Sequence, residues 1–124
     1  MCAKPISAAE AGTWVPACRI EALAGRTIVP VRVAGRHLLL VQDGGVLFAT
    51  ERACPHEGAD LALGHCARGR LFCPRHQAWF TLQDGTVSPG WDFRRLRTFA
   101  TRCVGTRVDV LMDGLGPPLG EGPS

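Results

Sequence analysis

With 124 residues, 46% of them apolar and 20% charged, the chain has the size and composition of one globular domain rather than of a disordered tail. A formal charge of +3, with Arg supplying 13 of the 14 basic residues, is too small and too scattered for a phosphate-binding face, so nucleic acid is not an expected partner. Apolar runs such as Leu38-Leu39-Leu40-Val41 are far too short to span a membrane, and MCAKPISAAEAG at the start lacks the pattern of a secretory signal, so a cytoplasmic protein is expected.

Residues 1–12 are small and polar and read as a flexible end. Turn signals then recur between short apolar runs, which is the pattern of an all-β fold. Residues 27–33 (TIVPVRV) and 37–42 (HLLLVQ) flank Ala34-Gly35-Arg36, and residues 46–50 follow the turn Asp43-Gly44-Gly45, giving a three-stranded antiparallel meander. Residues 79–82, 97–103 and 107–111 are also strand-like, separated by Gln83-Asp84-Gly85 and Val104-Gly105. β-branched and aromatic residues fill these runs, as a pleated, half-buried surface favours. Residues 8–12 and 21–25 are the only helical candidates, and both are too short to hold a helix alone. The last segment, 113–124 (DGLGPPLGEGPS), reads as a second flexible end. Trp14, Phe48, Trp79, Phe80 and Phe99 are expected in the core and His37 on a strand surface. Cys2, Cys18 and Cys103 read as structural, and Trp91 as a shield over a site or a contact for a partner.

Residues 52–76 break the strand pattern. They hold three of the six Cys and three of the four His, in sequence rich in Pro and Gly. Six Cys in a secreted chain would suggest disulfides; in a cytoplasmic one, metal binding is the better expectation. The segment reads Cys54-Pro55-His56, then sixteen residues, then Cys73-Pro74-Arg75-His76. Each half supplies one thiolate and one imidazole, close together and kinked by Pro. Two such loops facing each other can offer two sulfurs to one metal and two nitrogens to another, which is the ligation of a [2Fe–2S] centre with His on one iron. Tetrahedral zinc also takes two Cys and two His, although Cys-x-His is unusual spacing for a zinc finger. His65 and Cys66 lie between the halves, on a loop or hairpin leading to Arg70-Leu71-Phe72, and are expected to be structural.

CPHEGADLALG and CPRHQAWF resemble the two ligand loops of Rieske proteins, and Asp84-Gly85 with Ser88-Pro89-Gly90 resembles the turn and third, Pro-containing loop of that family. Residues 14–48 are similar to the β-meander of small Rieske ferredoxins, so the resemblance covers roughly residues 13–111. It implies an all-β Rieske fold of antiparallel meanders with a small cluster-binding subdomain over residues 52–90, inside a single domain spanning 13–112. It further implies one [2Fe–2S] cluster per chain, with Cys54 and Cys73 on one iron and His56 and His76 on the other. Gly58 would let backbone approach the cluster sulfides.

By the same resemblance the chain is an electron carrier and not itself an enzyme. It would be a monomer taking one electron from a flavoprotein reductase and passing it to a non-haem iron oxygenase or similar enzyme. The alternative is a cluster-bearing small subunit, like that of nitrite reductase, or a redox-sensing domain. High-potential relatives carry an extra Cys in each loop, joined in a disulfide, and a Ser after the second ligand loop. Ala59, Arg75 and Gln77-Ala78 stand at those positions here, so the low-potential type is implied. Arg75, between two of the implied ligands, would favour the reduced, negatively charged cluster and help dock an acidic partner. Arg68, Arg70, Arg94, Arg95 and Arg97 would add to a basic surface near the loops.

Overall fold

The computed structural model describes residues 12–56, 58–75 and 77–112. Ten strands alternate along them: β1 (Thr13–Arg19), β2 (Ile28–Val33), β3 (Arg36–Asp43), β4 (Val46–Glu51), β5 (His65–Ala67), β6 (Arg70–Phe72), β7 (Trp79–Thr81), β8 (Thr98–Phe99), β9 (Thr101–Val104) and β10 (Arg107–Met112). They form three antiparallel sheets, ordered β1-β10-β9, β2-β3-β4-β8 and β5-β6-β7. The expected meander is β2-β3-β4, its strands joined at Ala34-Gly35 and Gly44-Gly45.

The four-stranded sheet is the centre of the molecule, and β3 shows why. Leu38 and Leu40 point to one side, into a cluster with Val33, Ala49, Phe99, Val108, Val110 and Met112. Leu39 and Val41 point to the other, into a cluster with Phe48, Leu61, Leu71, Phe80 and Leu96. A strand buried on both faces needs no polar alternation, which accounts for the unbroken run Leu38 to Val41. The β1-β10-β9 sheet covers the first side, and the small β5-β6-β7 sheet with its loops covers the second.

Three details differ from the sequence expectations. Residues 97–103 form two strands, because the chain changes sheets at buried Ala100: Phe99 pairs with Ala49, whereas Thr101 pairs with Val110. Phe99, Ala100 and Thr101 are all buried, and no Gly or Pro marks the corner in the sequence. Residues 20–23 form a 3-10 turn in place of a helix over 21–25, and the candidate at 8–12 lies almost wholly outside the described residues. Trp14 and Trp79 are half-buried rather than core, each covered by a guanidinium: Arg102 at 4.4 Å from the Trp14 ring and Arg70 at 3.9 Å from the Trp79 ring. Phe48, Phe80 and Phe99 are buried, and His37 is exposed on β3. Cys2 and both terminal segments lie outside the described residues.

Candidate metal centre

The first loop leaves β4 and is closed by its own backbone. Ala53 and Asp60 pair its ends, the Cys54 N–H donates to the Ala59 carbonyl at 2.8 Å, and the Gly58 N–H donates to the Cys54 carbonyl at 2.7 Å. Gly58 sits at φ +74°, where a side chain is strained, although nothing lies within 4 Å of where its Cβ would be. The turn itself therefore demands glycine here. Asp60 fixes the loop's exit: its carboxylate accepts Arg52 Nε at 2.8 Å, Arg52 Nη2 at 2.9 Å and the Ala62 N–H at 3.0 Å, capping the 3-10 turn Leu61–Leu63. The Arg52 pair, helped by the Ala62 N–H, holds its pKa below the usual carboxylate range.

The second loop joins β6 to β7. The Cys73 N–H donates to the Ala78 carbonyl at 3.1 Å; Ala78 is fully buried while Gln77 is exposed. A third segment folds back on β7. The Ser88 N–H donates to the Trp79 carbonyl at 2.8 Å, and Ser88 Oγ accepts the Trp79 N–H at 3.1 Å. At the turn, Asp84 accepts the Thr81 hydroxyl, the Thr86 N–H and the Thr86 hydroxyl, which together with Arg95 lower its pKa to about 2. Gly85 is the hinge of this segment. It has φ +80°, a Cβ added to it would lie 1.9 Å from the Leu96 carbonyl oxygen, and the Leu96 N–H donates to its carbonyl at 2.9 Å.

That crossing brings residues 91–93 against the first loop. The His56 ring stacks on Phe93 with centroids 4.9 Å apart and planes 10° from parallel, and Trp91 meets the same ring at 5.7 Å. Phe93 also touches Phe80, at 5.9 Å. Trp91 thus covers the first loop, one of its two expected roles. Phe93 drew no attention in the sequence, where only its spacing from Trp91 hinted at a paired aromatic lid.

Cys54 and Cys73, from different loops, are both buried (2% and 5% exposed) in the same apolar cluster, as thiols rather than half-cystines. His56 stands exposed at the edge of that cluster. His76 lies outside the described residues. Cys54, Cys73 and His56 are donors of the type a soft metal centre takes: two sulfurs withdrawn from water and an exposed imidazole. A [2Fe–2S] core held by two thiolates and two neutral imidazoles carries no net charge when oxidised, so an apolar wall does not penalise it as it would an ion.

His65 and Cys66 face other partners. His65 stacks on Phe72 at 4.7 Å, directly across the β5–β6 pair, and the Cys66 thiol approaches the Gln42 carbonyl oxygen at 3.8 Å. Burial pushes the Cys66 thiol pKa up, which disfavours a thiolate there. Several of the arginines expected to form a basic surface are engaged. Arg94 grips Glu51 through both Nη atoms at 2.6 and 2.8 Å, which raises its pKa, and Arg70 lies on Trp79.

The Rieske [2Fe-2S] domain family model matches residues 13–100. The naphthalene 1,2-dioxygenase system ferredoxin component of Pseudomonas aeruginosa is 25% identical over 97 residues, covering 78% of this chain and 93% of that protein. Apoptosis-inducing factor 3 of Homo sapiens is 36% identical over 77 residues, 60% of this chain, but the match spans only 13% of that protein's length. Among solved structures, a complex of reduced oxygenase and oxidized ferredoxin in carbazole 1,9a-dioxygenase contains a chain 26% identical to this one. It superposes with a TM-score of 0.69 over 79% of this chain and 92% of the other.

Proposed function

The chain belongs to the Rieske [2Fe-2S] domain family, and from that premise we propose that it is a one-electron carrier serving a non-haem iron oxygenase or a similar redox enzyme. The observation that carries this reading is that Cys54 and Cys73, from two different loops, are buried in one apolar cluster, with His56 exposed on the first loop. In it Cys54 and Cys73 would hold one iron and His56 and His76 the other, and the bound cluster would supply reversible one-electron chemistry.

The protein's own residues shape what the cluster can do. Leu61, Phe80 and Leu96 exclude water from the sulfur side. Phe93 and Trp91 fix the plane of the His56 ring and leave it facing solvent, where a partner can approach. Ala59 and Ala78 are small, buried and without side-chain donors, so neither a disulfide nor a hydroxyl at these positions raises the potential, which favours the low-potential type. Arg75, exposed on the second loop, adds positive charge beside the His end. In this reading the chain is an electron carrier and catalysis belongs to its partner.

The partner class comes from the relatives: a dioxygenase-system ferredoxin component covered over nearly its whole length, and a ferredoxin seen with its oxygenase. A flavoprotein reductase is the electron source in this reading, the cytoplasm its compartment and the monomer its working form. Stopped-flow mixing of the cluster-loaded protein with NADH and the reductase of a naphthalene dioxygenase system tests it, followed by mixing with the oxygenase. Bleaching by the reductase and recolouring by the oxygenase are expected; a protein that dithionite reduces but neither enzyme turns over would overturn the reading.

A further inference from the structure

One end of the central sheet opens into a cleft of about 480 Å³ that the cluster chemistry does not use. The strand register explains its lining. Alternation puts Arg36 and Leu38 of β3, Glu51 at the end of β4 and Phe99 of β8 on one face, and Ala53, just beyond β4, and Arg97, just before β8, line the same cleft. Gly58 and Asp60 of the first loop close the side nearest the candidate metal centre.

The charges in this cleft do not balance. Both of its carboxylates are saturated from within the protein. Glu51 accepts both Nη atoms of Arg94 and the Arg97 N–H at 2.8 Å, and Asp60 accepts Arg52 and the Ala62 N–H. Arg36 has its guanidinium 5.7 Å from the Phe99 ring, and Arg97 is exposed. Among the described residues neither Arg36 nor Arg97 pairs with a carboxylate. Two unmatched guanidinium groups therefore line a concave site, with His37 at its edge.

A guanidinium offers a planar fork of donors that fits a carboxylate through two parallel hydrogen bonds, as both wall carboxylates already show. The cleft falls in the size range of small-molecule sites and is larger than one carboxylate group needs. We propose that it binds a pair of carboxylates, one at Arg36 and one at Arg97, carried by a free organic dicarboxylate or by neighbouring acidic side chains of an extended peptide. Nothing in this site depends on the electron-transfer reading.

Calorimetric titration of the cluster-loaded protein at low ionic strength with glutarate, hexaglutamate and inorganic phosphate tests the proposal, with amide spectra to locate binding. Saturable binding of a carboxylate probe is expected, with shifts at His37 and Arg97. Tighter binding of glutarate identifies a free ligand, and tighter binding of hexaglutamate an acidic segment. Arg97→Gln, at an exposed side chain that leaves folding intact, should weaken binding about tenfold, the scale of one lost charge-assisted contact. Arg36→Gln with Arg97→Gln should abolish it, and Arg26→Gln should leave it unchanged. The proposal is overturned by an absence of saturation with both carboxylate probes, by phosphate binding as tightly as they do, or by unchanged affinity in the Arg variants.

Discussion

The two sides of the central sheet are built from the same strand and held in different ways. Below Leu38 and Leu40, β1 and β10 pair over strands of seven and six residues, and the apolar cluster is drawn mainly from strand residues, with Leu23 of the 3-10 turn in it and Cys18 and Cys103 packed against it. Above Leu39 and Val41, three strands of three residues each are joined through residues 68–69 and 73–78 and tied down by the carboxylates of Asp43, Asp60 and Asp84. Strands that short are marginal alone, so the upper side depends on its ties and on whatever its sulfurs bind. The lower side is therefore expected to fold as a platform without metal. Function sits where local stability is lowest, because a centre that must meet a partner has to lie in exposed loops.

Removing a sulfur should separate the two sides most completely. Cys54→Ser or Cys73→Ser is expected to abolish the visible absorbance of the cluster while β1, β9 and β10 keep their hydrogen-exchange protection. Simultaneous loss of protection in both sides would show that the platform is not independent.

Gly85→Ala should come next. Its Cβ would meet the Leu96 backbone at 1.9 Å in a left-handed conformation, so a loss of about 3 kcal/mol is expected. In hydrogen exchange the loss should centre on residues 84–96 and release Phe93 from His56.

A change in the platform should do the reverse. Asp109 is 1% exposed and accepts Arg102 Nε at 3.0 Å and Arg107 Nε at 2.8 Å. Asp109→Asn is expected to cost about 2 kcal/mol in denaturant unfolding and to leave the reduction potential where it was. A shifted potential would couple the two sides.

Acid gives the smallest and most graded test. Asp84 titrates near 2 in the folded chain against 3.8 ordinarily, and Asp60 is lowered in the same direction. A depressed folded pKa means that the stabilisation is whole above about pH 4 and is lost as the pH falls towards 2. Both groups tie the upper side, so its protection should decline first over that window, and Asp60→Asn with Asp84→Asn should flatten the decline.

Local chemistry was what could be read from the chain before folding. Cys54-Pro55-His56 and Cys73-Pro74-Arg75-His76 carry their donors and kinks within a few residues, so each half of the candidate site was legible on its own. The run at 37–42 marked a strand, and the Gly turns around it marked a meander. Contacts between distant segments were not legible. Nothing near Phe93 says that it stacks on His56, nor near Leu96 that it crosses Gly85; both follow from how the third segment folds back. The corner at Ala100 was hidden for a related reason, since residues 97–103 contain no Gly or Pro to break the run.

In the proposed function the two loops jointly hold one iron–sulfur centre, with sulfur on one iron and nitrogen on the other. An electron paramagnetic resonance spectrum of the dithionite-reduced protein, purified without air from iron-replete cells, tests it most directly. The account predicts a rhombic signal whose average g lies below that of clusters bound by cysteine alone. A colourless, silent protein, or a signal of the all-cysteine type, would contradict it.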